Sequence, residues 1–278
     1  MKTIANKIYK GLATTYTDGE IKALTRILAT ELLGISQMAY FLKEEIILCT
    51  EQQKLLDNAI TRLQKHEPIQ YILGYCDFCG LRFKVNSSTL IPRPETSELV
   101  EWIASEATGK ESILDIGTGS GCIAISLAHR LPDASVSAWD ISSEAVETAK
   151  ENSRNNGVKV EFGIVDILNY APVNVKLDII ASNPPYIKEI EKDNIKANVL
   201  SWEPHTALFV PNDDPLLFYR TIAEKAKEML CHGGKLFFEI NRAHGKETME
   251  MLDKLGYTAI ELRKDFADND RMIKAILL

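Results

Sequence analysis

Ser182-Asn183-Pro184-Pro185-Tyr186 is the stretch whose residue types point most directly to chemistry. It follows an apolar run, Leu177-Asp178-Ile179-Ile180-Ala181, that reads as a buried strand of a parallel sheet. A strand ending there delivers Asn183 to the carboxyl edge of the sheet, where open α/β folds bind ligands. The residue before a proline is pushed into the extended region, and Pro184 and Pro185 have fixed φ and no N–H. Their carbonyls therefore stay free to accept hydrogen bonds, and Tyr186 adds a flat apolar face with a polar tip. Such a corner suits a planar –NH2 group, a poor nucleophile because its lone pair is delocalised. The Asn183 side-chain oxygen and the Pro184 carbonyl can hold both N–H bonds and leave the lone pair facing an electrophile. A plain Asn-Pro turn after a buried strand is the competing interpretation, so context decides.

Part of that context is a glycine-rich turn. Ile113-Leu114-Asp115-Ile116 is a short apolar strand, followed by Gly117-Thr118-Gly119-Ser120-Gly121. A dinucleotide fingerprint requires Gly-x-Gly-x-x-Gly/Ala, but here Cys122 takes the third place and Gly121 comes one residue early. No Gly-Lys-Ser/Thr follows, which excludes a P-loop. Asp115 stands directly before the loop, where it repels a pyrophosphate and welcomes a cationic or amine-bearing ligand. Asp140 lies 21 residues after Gly119 at the end of a second strand, the expected place for a carboxylate that holds ribose hydroxyls. Asp166 ends a third strand and can accept from an adenine amino group, with Ile167 and Leu168 packing on the ring. Each carboxylate alone fits an N-cap or a surface charge. Together with the glycine loop, the three describe ribose, adenine and a positively charged amino-acid tail, that is, S-adenosylmethionine.

These residues need a framework. From residue 112 onward strands and helices alternate, the signature of a parallel sheet with helices on both faces. Residues 188–213 form a long irregular stretch containing Trp202-Glu203-Pro204-His205, and loops of that length in compact domains are usually functional or disordered. A helix opening at Asp214-Pro215 runs to Leu230, Gly233-Gly234 ends it, and Lys235 to Ile240 is a fifth strand. The first 70 or so residues read as helices instead. Asp18 is expected to cap a helix bearing Ile21, Leu24, Ile27, Leu28 and Leu32, and Thr50 with Gln53 forms a capping-box pattern. Tyr71, Ile72, Phe78, Leu81, Phe83 and Val85, with Gly74 and Gly80 between, predict a β-hairpin between two domains. Ile91-Pro92-Arg93-Pro94-Glu95-Thr96 then forms a stiff elbow, with Thr96 or Ser97 as N-cap of the next helix.

Composition narrows the function classes. The 278 residues are 45% hydrophobic and 26% charged, ordinary for a soluble globular protein. No apolar run approaches a membrane span, and the amino terminus lacks signal and transit patterns, so a cytoplasmic location is expected. The five cysteines, Cys49, Cys76, Cys79, Cys122 and Cys231, do not form a disulfide framework, and the Cys76/Cys79 pair has no second metal-ligand cluster, so no metal is expected. Residues 1–72 carry nine Lys/Arg against eight Asp/Glu, and the remainder carries 23 against 31. A catalytic domain gripping duplex nucleic acid normally has a basic footprint, and this one is acidic.

With these motifs in this order, the sequence resembles the class I methyltransferases with an Asn/Asp-Pro-Pro-Tyr corner. Ile91 to Thr96, Asp115 to Gly121 and Asn183 to Tyr186 together look like the HemK/PrmC family, the protein-glutamine methyltransferases of peptide chain release factors. Glu203-Pro204, Phe218-Tyr219-Arg220 and Glu239-Ile240 are also similar to that family, so the resemblance spans the chain. It implies an α/β, Rossmann-like fold with a seven-stranded, mostly parallel sheet and a small all-helical N-terminal domain. It implies residues 1–70 as a substrate-recognition domain, 71–92 as a β-hairpin linker and 93–278 as the methyltransferase domain. It implies S-adenosylmethionine held by Asp115, Gly117 to Gly121, Asp140, Ile141, Asp166, Ile167, Leu168 and Asn183, with no metal. Asn183, Pro184, Pro185 and Tyr186 would hold the glutamine of a class 1 release factor's Gly-Gly-Gln loop, with Asn183, Pro184 and Tyr186 catalytic. No direct nucleic-acid or membrane partner is implied. Two positions depart from the family: Asn241 stands where Gly is usual, and Cys79 where an aromatic is frequent. Competing readings are a nucleic-acid amino-methyltransferase acting on a flipped base, an idle S-adenosylmethionine-binding regulator, and a nicotinamide dehydrogenase.

Overall fold

A computed structural model describes residues 1–172 and 175–278. These fall into two compact units, Met1–Gly74 with Lys196–Trp202, and Tyr75–Ile195 with Glu203–Leu278. Among the described residues, no helix is long and apolar enough to cross a membrane.

The first unit is helical. Its helices are Lys2–Leu12, Asp18–Ile27 (extended by a wider turn over Leu28–Leu32), Gln37–Phe41, Thr50–Leu63 and Ile69–Leu73, with Ala197–Leu200 alongside in the same unit. Lys2–Leu12 was not anticipated, although Ile4, Ile8 and Leu12 repeat every four residues and are buried. Two caps lie one residue earlier than expected. Thr17, not Asp18, forms the capping box with Glu20, and Cys49 with Gln52, not Thr50 with Gln53, opens the long helix. Composition cannot settle such one-residue choices, because the cap must be extended and its partner must reach back from three residues on. Ile69–Leu73 is likewise a helix where Tyr71 and Ile72 suggested a strand; Gly74, at φ 82, terminates it in the left-handed conformation.

The second unit begins with the hairpin of β1 (Tyr75–Phe78) and β2 (Leu81–Lys84). Cys79 and Gly80 both have positive φ, as the favoured two-residue hairpin turn demands. The main-sheet strands are β3 (Ser112–Ile116), β4 (Ser135–Asp140), β5 (Glu161–Ile164) and β6 (Leu177–Ser182). Two two-residue strands, β7 (Ile187–Lys188) and β8 (Phe209–Val210), pair separately. The main sheet is completed by β9 (Leu230–Glu239), β10 (Tyr257–Lys264) and β11 (Asp270–Leu277), seven strands in the order β10-β11-β9-β6-β3-β4-β5. Only β11 runs against its neighbours. Alternate residues enter opposite cores. Ile113, Ile179 and Phe237 pack with Leu99, Ile103 and Leu127 on one face, while Leu114, Ile180 and Phe238 pack with Tyr219, Ile222 and Leu252 on the other.

Three boundaries differ from expectation. Gly233-Gly234 does not end a helix: the helix Leu217–Met229 stops earlier, and the glycines lie inside β9 where its pairing with β6 shifts register. The third strand, expected to end at Asp166, covers Glu161–Ile164 and stops two residues short of it. The 188–213 stretch is broken into short helical turns and β8 rather than one irregular loop.

Candidate active site

The strand order reverses between β3 and β6, because β4 and β5 extend the sheet to one side of β3 and β6 lies on the other. Loops leaving adjacent carboxyl ends at such a point part and open a crevice. Ile116 pairs with Ser182, so the glycine loop and the Asn183 corner leave the sheet side by side.

The glycine loop is pinned from below. The N–H groups of Gly117 and Thr118 both donate to the Trp139 carbonyl, at 2.8 and 2.9 Å. Asn152 donates from its side-chain amide to the Ser120 carbonyl at 2.8 Å and to the Lys84 carbonyl at 3.0 Å, joining the loop to the hairpin. Gly121 sits at φ 84, where a side chain is strained, and a Cβ there would meet Ile125 Cδ1 at 2.7 Å. Asp115 lies fully buried beneath the loop and accepts from the Thr118 hydroxyl at 2.6 Å; burial pushes its carboxyl up to about 7.

Asp140 orders the next loop. Its two oxygens accept from Gly119 N–H at 2.8 Å and Ser142 N–H at 2.9 Å, and burial raises its pKa. Each carboxylate oxygen keeps a second lone pair for a ligand hydroxyl. Asp166 is turned more to its own chain, accepting from Leu168 N–H at 3.0 Å and Asn169 Nδ2 at 2.6 Å.

A cavity of about 350 Å³ unites these loops. Gly117, Gly119, Asp140, Ile141, Asp166, Ile167, Leu168, Asn183, Pro184 and Pro185 all line it. Among the described residues, Asp115, Thr118, Ser120, Gly121 and Tyr186 do not line it. Asp115 acts from below the loop, and Tyr186 packs against the core behind the corner, where burial raises its hydroxyl pKa. The cavity wall also contains Ser88, Leu90, Pro204, Thr206, Phe209 and Phe218, none of which was singled out for a site role. The length of the 188–213 stretch is a signal for Pro204, Thr206 and Phe209, and the family-like segments add one for Pro204 and Phe218; for Ser88 and Leu90 no signal exists in the sequence.

Two further residues bind the walls together. Glu203, almost wholly buried, accepts from Arg93 Nη2 at 2.7 Å and from Ile91 N–H at 3.3 Å, so the proline elbow and the loop before Pro204 form one piece. Thr96 does not cap its helix. Its hydroxyl donates to Glu239 Oε2 at 2.6 Å and accepts from Asn183 Nδ2 at 3.5 Å. Glu239 Oε1 is buried with no hydrogen-bond partner among the described residues, and burial pushes this carboxyl up to about 7.

The Methyltransferase small domain profile matches residues 94–203, and the PrmC N-terminal domain profile matches residues 11–74. A Bacteroides thetaiotaomicron protein named Release factor glutamine methyltransferase is 47% identical over 276 residues, covering 99% of this chain and 99% of the relative. This chain belongs to the release factor glutamine methyltransferase family. A member of the same name from Flavobacterium psychrophilum is 45% identical, over 99% of this chain and 98% of the relative. A solved methyltransferase from Pyrococcus furiosus shares the fold, with a TM-score of 0.51 at 20% identity over 79% of this chain and 98% of that one.

As a member of this family the chain is an S-adenosylmethionine-dependent methyltransferase, and its cavity fits that cofactor. Ile141 and Leu168 hold large apolar side chains open to solvent on the cavity wall, an arrangement that costs free energy until a ring covers them. Asp140 brings acceptors to the same wall. Of the two departures from the family pattern, Cys79 sits in the hairpin turn, while Asn241 Nδ2 donates to the Tyr186 carbonyl at 3.1 Å and braces the corner.

Proposed function

We propose that this protein transfers the methyl group of S-adenosylmethionine to the side-chain amide nitrogen of the glutamine in the Gly-Gly-Gln loop of a class 1 release factor. The observation that carries this reading is the shared cavity: Asn183, Pro184 and Pro185 border the same space as Gly117, Gly119 and Asp140. The names of the relatives support release factors as the substrate class.

Asp140 and the apolar wall hold the cofactor, which when bound supplies an electrophilic methyl group on a sulfonium. Asn183 Oδ1 and the Pro184 carbonyl accept the two N–H bonds of the glutamine amide. That grip fixes the amide plane and leaves the nitrogen's lone pair facing the cavity. Positioning of this kind lowers a barrier by roughly 7 to 11 kcal/mol. No strong base is needed beforehand, because the amide proton becomes acidic only once the nitrogen carries the methyl group. Tyr186 contributes from behind the corner by fixing its backbone. The helical unit, Met1–Gly74 with Lys196–Trp202, is the proposed docking module for the release factor.

The nearest alternative is a nucleic-acid amino group as acceptor, since the same corner would grip a flipped base. The acidic balance of residues 73–278 counts against it. A transfer assay with labelled S-adenosylmethionine, offering release factor, tRNA and DNA in parallel, tests the proposal. Label in the release factor alone, lost when its Gly-Gly-Gln glutamine is replaced, is the expected outcome. Label in either nucleic acid would transfer the assignment to that substrate. Asn183→Ala is expected to lower turnover about 100- to 1000-fold, as removing one preorganised polar group typically does, with a much smaller loss of cofactor affinity.

A further inference from the structure

We propose that Glu239, acting through Thr96, is the positioning residue that turns the Asn183 carboxamide so that its oxygen, not its nitrogen, faces the substrate amide. The inference rests on the reading of Asn183 as the substrate's acceptor and adds what sets its orientation.

The geometry is a three-residue relay built across a helix start, a loop and a strand end. Ser182 pairs with Phe238, so Asn183, just past β6, and Glu239, the last residue of β9, come next on adjacent strands. Thr96, at the start of the helix Thr96–Glu106, spans the gap between them. A threonine hydroxyl has one proton. That proton is committed to Glu239 Oε2 at 2.6 Å, so toward Asn183 the Thr96 oxygen can only accept. Asn183 must then present its –NH2 to Thr96, as found at 3.5 Å, and its Oδ1 is left for the cavity. An amide rotated by half a turn would set two acceptors against each other and offer the substrate N–H a donor. A carboxylate selects the catalytic rotamer where a neutral donor would not.

Glu239 is an unusual residue to bury. It is fully enclosed, with Oε1 unpaired, and a buried polar atom left without a partner costs free energy. A glutamine or a serine could tie helix to sheet with a smaller penalty, so anchoring alone does not account for a carboxylate here. The groups facing it are Arg93 and Arg271, which favour its ionised form, Glu95, which opposes it, and Tyr186, Tyr219 and Cys122. Arg271 is itself paired with Asp265 at 3.0 Å. With its carboxyl pushed up to about 7, Glu239 gains a proton as pH falls through neutrality. It then donates to the Thr96 oxygen, the Thr96 proton is released toward Asn183, and the amide is free to turn.

The test follows the side-chain –NH2 signal of Asn183 by 15N NMR in the full chain with S-adenosylmethionine bound, assigned by its loss in Asn183→Ala. In the wild type the signal should move with a midpoint near 7, the value toward which burial pushes Glu239. In Glu239→Gln and in Thr96→Val it should stay constant, and Thr96→Ser should restore the movement. Turnover on release factor should rise through the same midpoint in the wild type. In Glu239→Gln, which keeps an acceptor for the Thr96 proton but cannot titrate, it should be flat with pH, with cofactor affinity within about twofold of wild type. A wild-type signal that does not titrate, or one that titrates equally in Glu239→Gln, overturns the relay. Titration without methylation of release factor would support the relay and instead reject the proposed substrate.

Discussion

The hydroxyl of Ser182 donates to the carbonyl of Ile116 at 2.6 Å, joining the last residue of β6 to the last residue of β3. The bond lies at the point where strand order reverses, directly beneath the two loops that border the cavity. It uses the buried polar groups at both strand ends, so the loops above diverge from a common, satisfied base. The corner carrying Asn183 is therefore registered against the glycine loop by sheet geometry, before any ligand arrives.

Asp140 supports the cofactor side of that cavity in two ways, as a ligand acceptor and as the anchor of Gly119 and Ser142. Asp140→Ala should weaken S-adenosylmethionine binding by about 100-fold, the order of one or two hydrogen bonds to a charged group. Titration calorimetry measures this directly. Unchanged affinity would show that the carboxylate does not touch the cofactor.

Two carboxyls shape the dependence of stability on pH. Asp115 and Glu239 are both pushed up to about 7 by burial. Between the ordinary carboxylate range and 7, the native state therefore holds protons that the unfolded chain has released, and stability falls as pH rises through that window. Glu106 and Asp265, held at about 2, act oppositely: their contribution is present above the ordinary carboxylate range and is lost on further acidification. The cofactor-free protein should melt at a lower temperature at about pH 7.5 than at about pH 5.5. In Asp115→Asn that slope should be shallower. Fluorimetric melting across pH decides, and an unchanged slope would place the titration elsewhere.

The Arg93–Glu203 pair closes one wall, with Glu203 buried and Arg93 about a quarter exposed (side-chain exposure 27% against 1%). Arg93→Ala would strand a buried carboxylate and should destabilise the protein by about 3 kcal/mol. Replacing Glu203 by Gln as well should recover part of that loss, because the uncompensated charge is gone. Urea unfolding of both variants distinguishes charge from packing, since equal losses would mean that the charge is immaterial.

Gly121→Ala and Gly119→Ala should differ in stability although both glycines have positive φ. A Cβ on Gly121 meets Ile125 at 2.7 Å and Ala149 at 3.1 Å, whereas one on Gly119 meets nothing within 4 Å. The strain of the left-handed region, about 1 to 2 kcal/mol, is common to both. Only Gly121→Ala adds a clash, so it should be the less stable variant in the same unfolding experiment. Equal stabilities would mean that the helix behind Ile125 yields freely.

Local patterns were legible in the chain itself. Strands ending at Ile116, Asp140 and Ser182, the glycine loop and the proline corner are each written in a few consecutive residues, because strand burial, φ restriction and turn chemistry act over that range. From these the α/β class and the family resemblance followed. Caps read one residue off, the Ile69–Leu73 helix and the run of β9 through Gly233-Gly234 show where local preference yields to packing. The partners of Thr96 were beyond reach for a different reason. Its hydroxyl looked like a helix cap, yet it serves Glu239, 143 residues away, and Asn183, 87 residues away. Tyr186 looked like a wall of the cavity and instead packs behind it. A sequence states what each segment prefers; which side chains share one buried volume is decided by the order of strands in the sheet, since contacts between distant segments exist only once that order has formed.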